Sequence, residues 1–440
     1  MSTVCSLALL ATIAGAVRPG EPMPIGIRQR VDHAVHVLRE TMRQRDATAV
    51  AAAADGLRIA LGDWAGVPER RPEFNIPPDA GPLLAQNERV RIWQEAWADA
   101  LRQDIIPGAD RLQVKHDLLR KTAYAVMGGL AAMRHGVGDP DEIRRELDKR
   151  LQYLLSVQRP DGLFPFPDLR GTKSPFAPVL ESHYERFPED FVDGWVIEDH
   201  GDGGLQFDNG VCAVTMAAAF EQLGDKRYLE SARRACEWIL TRPIVTNWNY
   251  NAFSVWAMAR YTRLAGDPRF LAPAIERLRL GVLPGQLPNG RWMDPHNART
   301  VYHAIILRAL AELYAVISES DSVRSVLEDA IRRAERTLVD EIRSRGATDA
   351  DHSLTALCAV DRVCAPDVRR TEAIRVVINA MHAHTREPRR NLLHDMTLLA
   401  VGQMLDWAAP SAADRTDRHA DGTGTRRYNT LPVTGNAGPN

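Results

Sequence analysis

Aromatic, amide, carboxylate and imidazole side chains crowd into four short stretches of this 440-residue chain. The first, 158–168, carries Gln158, Asp161, Phe164, Phe166 and Asp168. The second, 195–210, sets Trp195, Glu198, Asp199, His200, Asp202 and Asp208 among glycines. The third reads Asn247-Trp248-Asn249-Tyr250-Asn251, and the fourth, 291–303, holds Trp292, Asp294, His296, Asn297, Arg299, Tyr302 and His303. Rings of this kind stack on the apolar faces of sugars while amides and carboxylates bond hydroxyls. Placed on loops of a rigid scaffold, they predict a carbohydrate-binding cleft. The expected substrate contacts are Phe164, Trp195, His200, Asp202, Asn247, Trp248, Asn249, Tyr250, Trp292, Asp294, Asn297, Arg299 and His303.

Two kinds of proton chemistry fit these side chains. Hydrolysis of a glycosidic bond needs one carboxyl that keeps its proton and one that is ionised. Asp199, Asp202, Asp208 and Asp294 are available for it. Elimination beside a uronate needs a group that neutralises the carboxylate, a base for the C5 proton and an acid for the leaving oxygen. His296, Arg299, Tyr302 and His303 fall at i, i+3, i+6 and i+7, which puts them on one face of a helix start. Asp199, Asp208, His296 and Tyr302 are the expected catalytic groups. Plainer readings stand beside these. Asp161-Gly162 and Asn289-Gly290 are natural turn pairs, and Asp208, Asn209, Asn249 and Asn251 are N-cap types. Trp248, Phe253 and Trp256 suit a core, His296 and His303 suit satisfied core histidines, and His394-Asp395 suits a structural pair. No metal or cofactor is expected. Asp294, His296 and His303 make a weak ligand set, and Gly201-Asp202-Gly203-Gly204 lacks the βαβ setting of a dinucleotide site.

The elements that must position these residues are helical. Apolar residues recur at three and four spacings over 29–45, 87–106, 111–134, 141–157, 209–223, 227–241, 249–265, 300–317, 323–343, 367–384 and 391–407. Gly224-Asp225-Lys226-Arg227-Tyr228-Leu229 recurs 42 residues on as Gly266-Asp267-Pro268-Arg269-Phe270-Leu271. Pro160-Asp161-Gly162-Leu163-Phe164 recurs 128 residues on as Pro288-Asn289-Gly290-Arg291-Trp292, close to three such periods. A period of this size with two helices per repeat indicates stacked helical hairpins. Helices that are apolar all round, such as 211–223, alternate with Arg-rich amphipathic ones, such as 227–241. Inner and outer helices in alternation close most simply into an all-α (α/α)6-type toroid of six to seven hairpins. An open superhelix is the alternative.

The repeated turns and paired helices resemble the (α/α)-toroid carbohydrate-active enzymes, both six-hairpin glycosidases and toroidal polysaccharide lyases. The likeness spans about 110–407 at the level of architecture. Gln158-Arg159-Pro160-Asp161-Gly162-Leu163-Phe164 also fits the Q-x-x-D-G-x-(F/W) repeat of toroidal terpene cyclases, but no DxDD or DDxxD run is present. The lyase resemblance implies Asn247 or Asn249 as neutraliser, His296 or Tyr302 as base and acid, and Arg299 as a carboxylate clamp. A glycan or other small molecule is the expected partner. A non-catalytic helical-repeat binding protein and a terpenoid-cyclase-like toroid remain the alternatives.

Charge and composition agree. Lys plus Arg number 55 against 57 Asp plus Glu, a net charge of −2, without the basic excess of a nucleic-acid binder. No apolar run approaches the ~20 residues of a membrane span. Val4–Val17 with Ala14-Gly15-Ala16 has the form of a signal peptide lacking a basic start, so residues 1–26 read as such a peptide or as an N-terminal segment. Export and a cytoplasmic location both stay open, as does the oligomeric state. The toroid is expected over 27–409 and a disordered polar tail over 410–440. Five cysteines make no disulfide framework and suit buried thiols.

Overall fold

The computed structural model describes residues 17–18, 21–69, 78–102, 115–388 and 392–408. The proposed leader up to residue 16, Cys5, and the tail from 410 lie outside them. Among the described residues, twelve helices build the ring. In chain order after the hairpin α1 (Ile25–Gln44) and α2 (Ala47–Leu61), they begin with α3 (Gln86–Arg102), α4 (Leu118–His135) and α5 (Pro140–Val157). A short helix, α6 (Ala177–Arg186), interrupts them. The ring continues with α7 (Leu205–Leu223), α8 (Lys226–Thr241), α9 (Trp248–Ala265), α10 (Leu271–Gly281) and α11 (Thr300–Tyr314). It ends with α12 (Arg324–Arg345), α13 (Ala350–Val363), α14 (Val368–Arg386) and α15 (Thr397–Ala408).

Helices α4, α7, α9, α11, α13 and α15 each pack on the next, and α15 returns to α4, so the inner ring is closed. Their partners α5, α8, α10, α12 and α14 lie outside, and α3 covers α15. The chain is an (α/α)6 toroid. The N-terminal region thus supplies the sixth outer helix, while α1 and α2 pack outside the ring beside α10 and the turn Leu283–Gly285. Inner helices are buried nearly all round, as α7 shows from Leu205 to Ala217. The outer α8 buries only Tyr228, Ser231, Ala232, Ala235, Cys236, Trp238 and Ile239. Among the described residues no helix is long and apolar enough to cross a membrane. Cys212, Cys236 and Cys358 are buried thiols outside any disulfide, and Cys364 is half-buried.

Both internal repeats have a structural cause. Gly224 (φ 74°) and Gly266 (φ 65°) end their helices in the left-handed conformation. Asp225 and Asp267 then accept from the backbone N–H of Arg227 and Arg269 and start the next element. In the other repeat, Gln158 donates from Nε2 to the carbonyls of Gly162 and Ser231, and Gln286 does the same to Gly290 and Ala330. Each turn is thereby clamped onto an outer helix. Gly162 (φ +97°) and Gly290 (φ +90°) lie so close that a Cβ would sit 2.1 Å from the Arg234 carbonyl oxygen and 2.3 Å from that of Arg333. Gly162→Ala is therefore expected to cost ~2 kcal/mol or more in urea denaturation, strain and clash together. Gly171→Ala, at φ +71° with nothing near its Cβ, isolates the strain and costs about 1 kcal/mol.

Between α5 and α7 lies an insertion. Strand β3 (Trp195–Val196) pairs antiparallel with β1 (Phe166–Pro167) and β2 (Phe191–Val192), over a small core of Leu169, Leu180 and Val196.

Candidate active site

Each inner helix contributes one reactive side chain from its first turn or the turn before it. Arg120 comes from α4, Asp208 from α7, Tyr250 from α9, Tyr302 from α11, His352 from α13 and Asp395 from the turn entering α15. Arg120 grips Asp208 with two bonds, Nε to Oδ1 at 2.9 Å and Nη2 to Oδ2 at 3.1 Å. Its Nη1 lies 3.8 Å from Asp395, and its guanidinium sits 3.9 Å over the Phe207 ring. Asp395 in turn lies 3.5 Å from His352 Nε2, whose Nδ1 is 2.9 Å from Asp351. Asp351 Oδ2 accepts from the backbone N–H groups of His394 and Met396, and so holds the turn that presents Asp395. The result is one alternating chain of charge across the rim. A cavity of about 390 Å³ opens beside it, lined among others by Lys121, Tyr124, His384, His394 and Asp395.

On the other side of the rim His296 stacks on Tyr302, ring centroids 3.9 Å apart. Glu69, from the segment after α2, lies 3.5 Å from His296 Nδ1 and 3.1 Å from Arg299 Nη1. Arg299 lies 5.2 Å over the Tyr302 ring. The charges of Asp202 and Arg120 act on the Tyr250 phenol, and those of Arg299, Glu69, Arg120 and Asp395 on the Tyr302 phenol.

Burial pushes the phenols of Tyr124, Tyr250 and Tyr302 up, so all three keep their protons at neutral pH. Burial opposes ionisation of Asp395, but the His352 bond, its charge and that of Arg120 hold the carboxyl well below the usual range. For Asp351 burial is likewise outweighed by His352, and for Glu69 by His296 and Arg299, so both stay ionised. Burial would discharge His352, yet Asp351 and Asp395 push it up to about 10. His116, just before α4, is pulled down by burial and then by Arg120, and is neutral at pH 7.

This network has a pH signature. His352 titrates near 6.5 ordinarily and near 10 when folded, so its stabilisation is complete below 6.5 and is lost as pH rises through 10. Asp395 and Asp351 start from 3.8 and are lowered, so their contribution is present above that value and is lost as pH falls below it. The unfolding free energy should therefore decline between pH 6.5 and 10. His352→Asn should flatten that alkaline limb in denaturation curves taken across the range.

Other expected site residues lie elsewhere. Asp199 is a structural cap: it accepts from the backbone N–H of Gly201, Gly203 and Leu205 and pairs with Arg242 at 2.9 Å. The turn and Arg242 thus engage both of its oxygens. Phe164, Trp248 and Trp292 are fully buried and present no ring to a sugar. Trp248 covers Gly285 and Trp292 bonds the Val282 carbonyl. His303 is also a core residue, bonded to the Ala334 carbonyl and driven neutral by burial. Asn247, Asn249, Asn297 and Asp294 form a buried amide network beneath the rim: Asn297 donates to Asp294 and Asn247, and Asn249 donates to Asn247 and Asn297. Burial raises the Asp294 carboxyl, but both its oxygens accept from Asn297. Trp195 is half-buried in β3, and His200 bonds Asp190. His394 bonds Asp349 rather than Asp395.

No protein-family model matches the sequence, and no curated protein matches it. Solved structures similar to it include a family 88 glycosyl hydrolase from Bacteroides vulgatus (TM-score 0.46, 10% identity, 73% of this chain and 98% of that one). A polysaccharide lyase aligns with TM-score 0.46 at 12% identity over 73% of this chain and 97% of its own. An unsaturated glucuronyl hydrolase from Streptococcus agalactiae aligns with TM-score 0.46 at 11% identity, covering 77% and 98%.

Proposed function

We propose that this chain is an enzyme that cleaves acidic glycans by β-elimination beside a uronate ring, at the rim formed by the inner-helix N-termini. The observation that carries the reading is the His296–Tyr302 stack backed by Glu69 and Arg299. His296 takes the C5 proton, the electron pair forms the C4=C5 double bond, the C4–O bond breaks, and the Tyr302 phenol protonates the leaving oxygen. The imidazolium proton then returns to the phenolate beside it through solvent, which resets the pair. The substrate carboxylate meets Arg299 and the positive ends of six converging helices, both of which favour an anion. Hydrolysis is disfavoured because it requires a carboxyl that keeps its proton and is free to reach the substrate; burial raises Asp294, but both its oxygens are taken by Asn297 within the amide network. Asp395 is held ionised by His352 and Arg120, Glu69 is bonded by Arg299, and Asp208 gives both oxygens to Arg120.

The test is a panel of neutral and uronic-acid polysaccharides followed by ultraviolet absorbance of unsaturated uronides and by reducing ends. Both signals rising together on acidic polymers is the expected result. Reducing ends without absorbance would mean hydrolysis. Loss of absorbance from unsaturated oligosaccharides would mean that the enzyme consumes the products of elimination, and either outcome overturns the reading. Silence on all polymers would leave a binding protein.

A further inference from the structure

We propose that His183, Asp190 and His200 bind one divalent transition-metal ion of the zinc class, at a site separate from the proposed active centre. Three elements bring them together: helix α6, the 3-10 turn Pro188–Asp190 and the glycine-rich turn before α7. His183 Nε2 and His200 Nε2 each lie 2.8 Å from the same oxygen of Asp190, Oδ2. All three ligand atoms fall within 4.8 Å of one another. Two imidazoles and a carboxylate are a common zinc set, and a fourth position stays open for water. Tetrahedral zinc with bonds of ~2.0 Å sets its ligand atoms about 3.3 Å apart. The present spacing of 2.8 Å reaches that by about half an ångström of side-chain movement.

The surroundings suit a built site. Asp190 and His183 are buried and fixed, whereas His200 is exposed and gives an ion a way in. His200 holds φ 48°, a left-handed conformation disfavoured for a residue with a β carbon. Its N–H bonds Glu198 Oε1, which Arg242 holds in place, so the turn keeps the imidazole aimed at Asp190. Phe187 lies 4.0 Å from the His200 ring and 5.3 Å from His183, and Phe191 lies 5.7 Å from His183. This aromatic wall shields the ligands and fixes their ring planes. Without an ion, two Nε2–H groups donate to one carboxylate oxygen; with an ion, each ring ligates through Nε2 and carries its proton on Nδ1 instead.

A metal here would tie α6 to the turn in which Asp199 caps the entry to α7 and Asp202 couples to Tyr250. It would brace the rim rather than take part in the reaction.

The experiment uses untagged full-length protein stripped with EDTA and then titrated with Co²⁺, with Zn²⁺ as competitor. The expected result is a visible ligand-field band saturating at one equivalent, abolished by Zn²⁺, with a melting temperature several degrees higher with either metal. H200Q should lose the band and the shift, while H394Q, altered on another part of the rim, keeps both. D190N removes a buried group and can weaken folding, so H200Q carries the decision. Absence of a band and of a melting shift overturns the site, as does an H200Q protein that binds like the wild type.

Discussion

Arg120→Leu is expected to cost about 3–5 kcal/mol of stability at neutral pH and to abolish activity. The guanidinium is sandwiched between Asp208 and Asp395 and lies on Phe207. The Asp208 side chain is 2% exposed, so without Arg120 it is a buried charge with its main partner gone. Leucine keeps an apolar stem but ends short of the guanidinium, so it removes the charge, the donors and the guanidinium's contact with Phe207. His352 still holds Asp395 low, whereas a buried carboxylate with no cation beside it is disfavoured against its protonated form. Stability of the variant consequently falls as pH rises, and its deficit relative to wild type is larger at pH 7.5 than at pH 5. Urea denaturation at both values checks this, and a deficit that does not change with pH would mean that Arg120 contributes packing alone. Arg120→Leu combined with Asp208→Asn should recover a good part of the loss, because the pair is removed together. Activity should not return, since Tyr250 and Tyr302 both lie in the field of Arg120.

The alternation of inner and outer helices could be read from the residues because burial all round and burial on one face leave different apolar patterns. Even the repeated turns were visible, since a left-handed glycine followed by a capping aspartate is a local requirement. Closure of the ring was not local. Helix α3 joins α15 across most of the chain, and Glu69 meets Arg299 only once the α1–α2 hairpin docks beside α10. Helix α13 went unread for a related reason. Its first turn, Ala350-Asp351-His352-Ser353-Leu354-Thr355, is polar because it faces the rim network, and this breaks the apolar period. Tyr250, His296, Arg299 and Tyr302 came from loop chemistry, and the fold gathers them. Trp248 and Trp292 came from the same argument and turned out to plug the core. An aromatic before an inner helix can face either the rim or the interior, and only the position of a neighbour such as Gly285 decides which.

Tyr302→Phe removes one hydroxyl and leaves the stack on His296 intact. It is expected to lower kcat by ~10³-fold, with KM within a few-fold and stability within about 1 kcal/mol. His296→Gln keeps a polar partner for Glu69 and should lower kcat comparably. The double variant should be scarcely worse than either, because base and acid serve one concerted event and losing one disables the pair. The pH profile adds a readout that a structural role would not move. Burial raises Tyr302 above its ordinary value of 10.0, so the alkaline fall in kcat that reports loss of the acid should lie above pH 10. In Tyr302→Phe the residual rate should lack that limb. If Tyr302→Phe instead keeps kcat within ~10-fold and retains the limb, the proton donor is another group. Tyr250, coupled to Tyr302 and carrying a phenol that burial also holds protonated, is then the next to replace.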